Sequence, residues 1–282
     1  MAGYGSYATI ADIKGALGIT STTDDTVMRK QAEAASRAID NYCNRRFYVT
    51  SETKTFDGAT QLWVPDLLSI TTLKTDEGND GTFENTYATT DYIKYGGGWE
   101  DSLNKLPYTR LEINPAGNYA SFASGYKVGV QIVGTWGYGD GISATPYITD
   151  TTISEDLTAG ESAIDVTSVT NLSAGNTILI GSEQYYIYSI ATLTLTVEPG
   201  VNGTTQATHS SGATIYIYQY PADIRQACMD LSVAFYQNRA RQGLQSERLG
   251  DYSYTMAGTS LGKGAIESIL DDNIRSYRRM RF

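Results

Sequence analysis

The chain is poor in the side chains from which most catalytic and metal sites are built. It has one histidine, His209, and two cysteines, Cys43 and Cys228, in 282 residues. A Ser-His-Asp triad, a Cys-His pair or a multi-histidine metal site would each have to be assembled around His209. That residue lies in a Gly-, Ser- and Thr-rich stretch, and neither His-x-x-His nor Cys-x-x-Cys spacing occurs. Two cysteines are too few for a disulfide framework, and both fall on apolar faces of predicted helices, where buried reduced thiols are expected. No run approaches the roughly 18–20 consecutive apolar residues of a membrane-spanning helix, so no membrane association is expected. The first ten residues lack the basic and apolar regions of a signal peptide, so the chain is expected to start life in the cytoplasm.

Other motifs with catalytic connotations fail on spacing. Carboxylates occur as sequence neighbours, Glu100 with Asp101, Glu155 with Asp156 and Asp271 with Asp272, and adjacent residues on a helix do not face each other. The stretch from Gly258 to Gly264 looks like a phosphate loop but is one residue short, and Gly264 stands where a magnesium-binding Ser or Thr is needed. Gly137, Gly139 and Gly141 follow a strand, yet Ser143 to Pro146 does not open a helix, which disfavours a dinucleotide site. No catalytic, cofactor-binding or metal-binding residue is assigned, no cofactor is implied, and the expectation is a protein that is not an enzyme.

Charge is distributed unevenly. The net charge of -10 argues against general affinity for nucleic acid, because Lys and Arg supply most non-specific phosphate binding. Residues 150–220 contain no Lys or Arg and seven acidic side chains, whereas residues 222–282 carry nine basic and seven acidic ones. This compositional break divides the chain into residues 1–149, an inserted module at 150–220, and a C-terminal part at 221–282.

Local patterns fill in that plan. Thr9 and Asp12 have capping-box spacing ahead of the stripe Ile10, Ile13, Ala16 and Leu17, with Gly18 as the stop. A second helix is predicted from a Thr23 or Asp24 cap to about Arg46. Short apolar or alternating runs then predict antiparallel strands at 54–56, 61–64, 70–75, 92–95, 109–113 and 127–136. Further strands are predicted at 163–169, 177–180, 184–190, 193–197 and 214–218, with the spacing of a small β-sandwich or barrel. Pro221 is expected to open a helix carrying Ile224, Ala227, Cys228, Leu231, Ala234 and Phe235, with Gly243 as the stop. A last helix carries Ile266, Ile269, Leu270, Ile274 and Tyr277 on one side. The predicted class is α+β: a helical bundle with an antiparallel β-insert and a second inserted β-module.

Two stretches resemble the head-to-tail adaptor, or connector, family of tailed phages. One is Tyr7 to Phe47, with Leu17-Gly18-Ile19, Asp24-Asp25 and the Ala34 to Phe47 run that passes through Ile39-Asp40. The other is Pro221-Ala222-Asp223-Ile224 through Arg239, followed by Ser246 to Tyr254 and a terminal helix. The resemblance implies a structural virion neck protein and a homo-oligomeric ring, typically about twelve-fold, a dodecamer. It further implies a portal protein above, a stopper or tail-completion protein below, and double-stranded DNA passing through the lumen at genome ejection without sequence-specific binding. It also points to the C-terminal segment as the portal-docking element. The apolar face of Ile266, Ile269, Leu270, Ile274 and Tyr277 suits helix-in-groove binding, and Arg275, Arg278, Arg279 and Arg281 suit acidic groups on the portal. The alternative is another tail or baseplate structural protein, whose β-module binds a host glycan through an exposed surface of Tyr185, Tyr186, Tyr188, Tyr216 and Tyr218.

Overall fold

The computed structural model describes residues 5–97, 102–239, 246–249, 252–255 and 263–279. Within these the protein is mixed α+β, with four helices and two large antiparallel sheets. The chain divides into two compact units, residues 45–147 forming one and residues 1–44 with 148–282 the other. The second β-segment therefore belongs to the same unit as the helices.

Helix α1, Ile10–Leu17, begins as its sequence dictates. Thr9 Oγ1 accepts from the Asp12 N–H at 3.0 Å and Asp12 Oδ2 accepts from the Thr9 N–H at 3.3 Å, and Gly18 closes the helix in the left-handed conformation. Helix α2, Asp25–Cys43, stops at Asn44, three residues before the expected end, because Asn44 turns left-handed. Asp24 sits at its N-cap without capping it by side chain. Its carboxylate takes Tyr236 Oη and Arg239 instead. Helix α3, Ala222–Asn238, has Pro221 as N-cap rather than first residue. The helices that carry the two cysteines pack together: Ser36 Oγ lies 3.3 Å from Cys228 Sγ, and both Cys43 and Cys228 are fully buried. Small side chains at Ala32, Ala35 and Ser36 permit that approach. Helix α4, Lys263–Ile274, packs on α3.

In the same unit, strands β8 (Tyr147–Thr152), β9 (Ala163–Asp165), β10 (Thr177–Ile180), β11 (Glu183–Ala191), β12 (Thr194–Pro199) and β13 (Thr214–Tyr218) form a sheet in the order β8-β13-β10-β11-β12-β9. Its terminal strands meet through the Ile153–Val166 bridge, with Thr167 N–H donating to Thr152 O at 3.0 Å, so the sheet closes on itself. Ile164, Ile178, Ile180, Tyr185, Ile187, Leu195, Val197, Ile215 and Ile217 fill the interior. The N-terminal segment is fastened to this sheet. Ile10 N–H donates to Ala174 O at 2.9 Å, Gly5 N–H to Asn202 Oδ1 at 3.2 Å, and Ser6 Oγ lies 2.9 Å from Tyr186 Oη. Gly175 makes this possible: at φ +99°, a Cβ there would fall 2.8 Å from Ile10 N.

The other unit holds β1 (Thr50–Phe56), β2 (Gln61–Thr75), β3 (Asn85–Thr86), β4 (Tyr92–Gly96), β5 (Ser102–Leu103), β6 (Tyr108–Ile113) and β7 (Val130–Trp136). Its order is β1-β7-β2-β6-β4-β5, with β3 on β2. Two strands expected at 61–64 and 70–75 are one, β2, which pairs with β6 through its first part and with β7 through its second. Pro65 lies in the register shift between Trp63 and Leu67, where no ladder N–H is required. Leu62, Val64, Leu67, Leu73, Leu111, Phe122, Val130, Ile132 and Trp136 form the core. Strands β14 (Ser246–Leu249) and β15 (Tyr252–Thr255) pair as a separate hairpin.

Candidate functional site

The residues singled out for docking lie on and after α4, and the structure separates them into two groups. Leu270 and Ile274 are buried, Ile269 is half-buried, and the apolar side of the helix faces its own unit. Tyr277 Oη donates to Asp223 Oδ2 at 3.3 Å, which ties the turn after α4 to the start of α3. Arg279 N–H donates to Cys43 O at 2.8 Å, and its carbonyl accepts from Asn44 Nδ2 at 3.2 Å, so the chain end fastens to the C-terminus of α2. Arg275 and Arg278 are exposed, and Arg278 reaches over the Tyr42 ring at 5.6 Å. The side chain of Ile266 and the whole of Arg281 lie outside the described residues.

Tyr42 links these parts. Its hydroxyl donates to Asp271, and its pKa is pushed up to about 12, first by burial and then by that carboxylate, against the opposing charge of Arg278. A tyrosinate here would face Asp271 directly. The contact thus holds the α2–α4 seam only in the neutral form.

A second network joins residues of the N-terminal motif. Tyr7 Oη donates to Asp40 Oδ1 at 2.6 Å, Arg37 Nη2 donates to Tyr7 Oη at 3.1 Å, and Arg37 pairs with Asp40 at 3.2 Å. The Tyr220 ring lies 4.8 Å from that of Tyr7. Burial, followed by Asp40, holds the Tyr7 pKa well above its usual value. The sequence displayed Ile39-Asp40 as a motif but gave no sign that Asp40 closes on Tyr7, since the partners come from separate elements.

His209 is embedded in the closed sheet. Its Nε2 lies 3.1 Å from Glu183 Oε2, which also accepts from Tyr185 Oη at 2.7 Å and the Ala207 N–H at 2.9 Å. Glu183 is fully buried and the His209 side chain nearly so. The three groups secure the connection between β12 and β13 over one end of the sheet.

The paired carboxylates are similarly committed. Glu155 accepts from the Asp165 N–H at 2.7 Å, Asp156 from the Ser211 N–H at 2.7 Å, and Asp272 from Ser268 Oγ at 3.1 Å. Glu100 and Asp101 lie outside the described residues, as do the residues from Gly258 to Gly262. After β7, the Gly137 to Gly141 turn leads into non-helical backbone. Asp76, Asp80 and Glu84 have oxygens within 4.8 Å of one another. Asp76 spends both of its oxygens on the Asp80 and Gly81 N–H groups, so the trio reads as loop closure. Of the five tyrosines named for a glycan surface, Tyr185, Tyr186 and Tyr218 are buried and Tyr188 and Tyr216 half-buried. Among the described residues, no helix is long and apolar enough to cross a membrane.

Residues 7–75 match the family model described as phage gp6-like head-tail connector protein. Over this segment the chain is similar to the head-tail connectors. The match covers α1, α2, β1 and β2 and includes the Tyr7–Arg37–Asp40 network. No curated protein matches the chain. The connector match supports a structural role as a virion component in a phage neck.

Proposed function

We propose that this connector relative is the head-to-tail adaptor of a tailed-phage neck. In this reading it assembles in the host cytoplasm as a ring, about twelve-fold by the resemblance. The portal protein lies on one side, a stopper or tail-completion protein on the other, and DNA passes through the lumen. The four helices are the connector core, a helical bundle into which the segments between α2 and α3 are inserted, in three parts at 1–149, 150–220 and 221–282. The observation that carries the reading is the connector match over the very segment whose Tyr7, Arg37 and Asp40 form a partly buried network between the N-terminus and α2. The acidic balance suits a conduit past which DNA slides, because an anionic wall releases no counterions from phosphate.

Portal docking is proposed at the C-terminal segment. Leu270, Ile274 and Tyr277 anchor it to the chain's own helices, and Arg275 and Arg278 present charge outward. Ile266, Ile269, Arg279 and Arg281 complete the proposed surface. Truncating α4 would remove buried anchors, so the informative change is Arg275→Glu with Arg278→Glu. The doubly substituted chain should keep its circular dichroism spectrum and lose most binding to isolated portal rings in co-sedimentation. Unchanged binding would remove the docking assignment.

A further inference from the structure

The sheet of the 45–147 unit ends on one side at β1, whose outer edge is open. The register of β1 with β7 runs without a shift through all seven of its residues, Thr50 to Phe56. Among the described residues, its backbone is bonded by β7 and by the Trp136 indole, which donates to Glu52 O at 2.9 Å, and by nothing else. Ser51, Thr53 and Thr55 are exposed. Free edges are commonly guarded by a proline, a bulge, a very short strand or an outward lysine. β1 has no proline and no register shift, and its one lysine is held on the sheet, Lys54 pairing with Glu52 and lying over the Trp136 ring at 5.3 Å. At the other end of this sheet β5 has only two residues, and the six-stranded sheet closes on itself. Among the described residues, β1 is therefore the longest open edge.

A strand pair without a larger sheet lies elsewhere in the chain. β14 and β15 pair with each other and, among the described residues, with no third strand. A two-stranded hairpin alone is marginal in water and gains stability by joining further strands. Its place in the chain is also uncommon. Tyr277, just after α4, bonds Asp223 at the start of α3, so these packed helices run antiparallel, and the end of α3 lies at the same end of the pair as the start of α4. Neighbours so arranged need a connection of about 2–8 residues. Here the connection runs from residue 239 to residue 262. The helix pair does not require that length, and the hairpin is built from the excess.

An open edge offers unpaired N–H and C=O groups to a strand, and a lone hairpin offers the same groups to an edge. Within one chain the two belong to different sheets and do not pair, so the partner that completes each is a second copy. We propose that the β14–β15 hairpin of one copy adds to the β1 edge of the next and extends its sheet. Main-chain hydrogen bonds carry a strand addition of this kind, and Tyr252, Tyr254 and Thr255 are residue types that favour strands. The contact is heterologous, and copies joined by it form a closed ring or an open filament according to the rotation. The inference rests on the ring reading above and names the segments that would join neighbouring copies.

The test combines sedimentation equilibrium with amide hydrogen exchange on the full chain. As concentration rises and copies associate, the amides of residues 50–56 and of β14 and β15 should exchange more slowly, by about tenfold or more. Deleting residues 246–255 should leave the helical circular dichroism intact, weaken self-association by about tenfold or more through the lost interstrand hydrogen bonds, and abolish the concentration-dependent protection of β1. The deleted chain still offers its β1 edge, so in excess parent chain its β1 amides should regain protection. Should the deletion disturb the helices, Ser253→Pro, which removes a strand donor without shortening the chain, must give the same loss. A chain that stays monomeric at the highest concentration reached, association that survives the deletion, β1 protection independent of concentration, or no regained protection in the mixture each overturns the proposal. Portal binding by the arginine variants is measured separately, so failure of the neck assignment is told apart from failure of this contact.

Discussion

Replacing His209 with Ala tests the account of the closed sheet most directly. The substitution removes one of three donors to Glu183 Oε2, while Oε1 of the same fully buried carboxylate has no hydrogen-bond partner among the described residues. A hydrogen bond contributes about 0.5–1.5 kcal/mol net, and leaving a buried polar group unsatisfied costs about 1–3 kcal/mol. Two donors, Tyr185 Oη and the Ala207 N–H, remain, and the space vacated by imidazole admits water, so a loss of about 2–3 kcal/mol is expected. For a unit of this size that lowers the melting temperature by roughly 5–10 °C. All four helices lie in the unit that contains His209, so circular dichroism at 222 nm during urea or thermal unfolding reads the change. Glu183→Gln replaces the carboxylate oxygen that His209 meets, and His209→Ala should cost much less in that background, giving a coupling of about 1–2 kcal/mol. A His209→Ala protein within about 0.5 kcal/mol of the parent, or one whose loss is undiminished beside Glu183→Gln, would refute the reasoning.

Other outcomes follow from individual contacts. Gly175→Ala should lower the melting temperature by several degrees, because the new Cβ meets Ile10 N and Thr9 Cα at 2.8 Å in a left-handed backbone; an unchanged transition would mean that the N-terminal segment is not held as described. Cys43 and Cys228 should resist a thiol reagent in the native protein and both react in denaturant, since both are buried and burial raises the Cys228 pKa; rapid native labelling would contradict the α2–α3 packing. Burial, with carboxylate neighbours, pushes Tyr42, Tyr188 and Tyr220 up to about 12. A tyrosine raised in the folded state stabilises fully below its ordinary pKa near 10 and loses that contribution as pH climbs through the folded value. Stability should therefore fall between about pH 10 and 12, with ionisation at 295 nm lagging behind that of free tyrosine; a normal titration curve without unfolding would contradict it.

Local interactions made much of the fold legible in the sequence. The Thr9–Asp12 box, the Gly18 stop, the stripe of α2 and the strands at Thr177–Ile180 and Thr214–Tyr218 follow from hydrogen bonds and periodicities spanning a few residues. The connector resemblance was likewise carried by short runs, and the family match falls on one of them. What remained hidden depended on partners far apart in the chain. The strands expected at 61–64 and 70–75 are one, because β2 pairs first with β6 and then with β7. The absence of Lys and Arg marks residues 150–220 as a compositional unit, and only the tertiary structure shows Asn202, Tyr186 and Ala174 binding the N-terminal segment. The terminal helix looked like a free amphipathic element, and tertiary packing covered Leu270 and Ile274 while leaving Arg275 and Arg278 exposed. An apolar stripe in a sequence states that a face must be covered. Whether the chain itself or another molecule covers it depends on which surfaces folding brings alongside, and only the tertiary structure decides that.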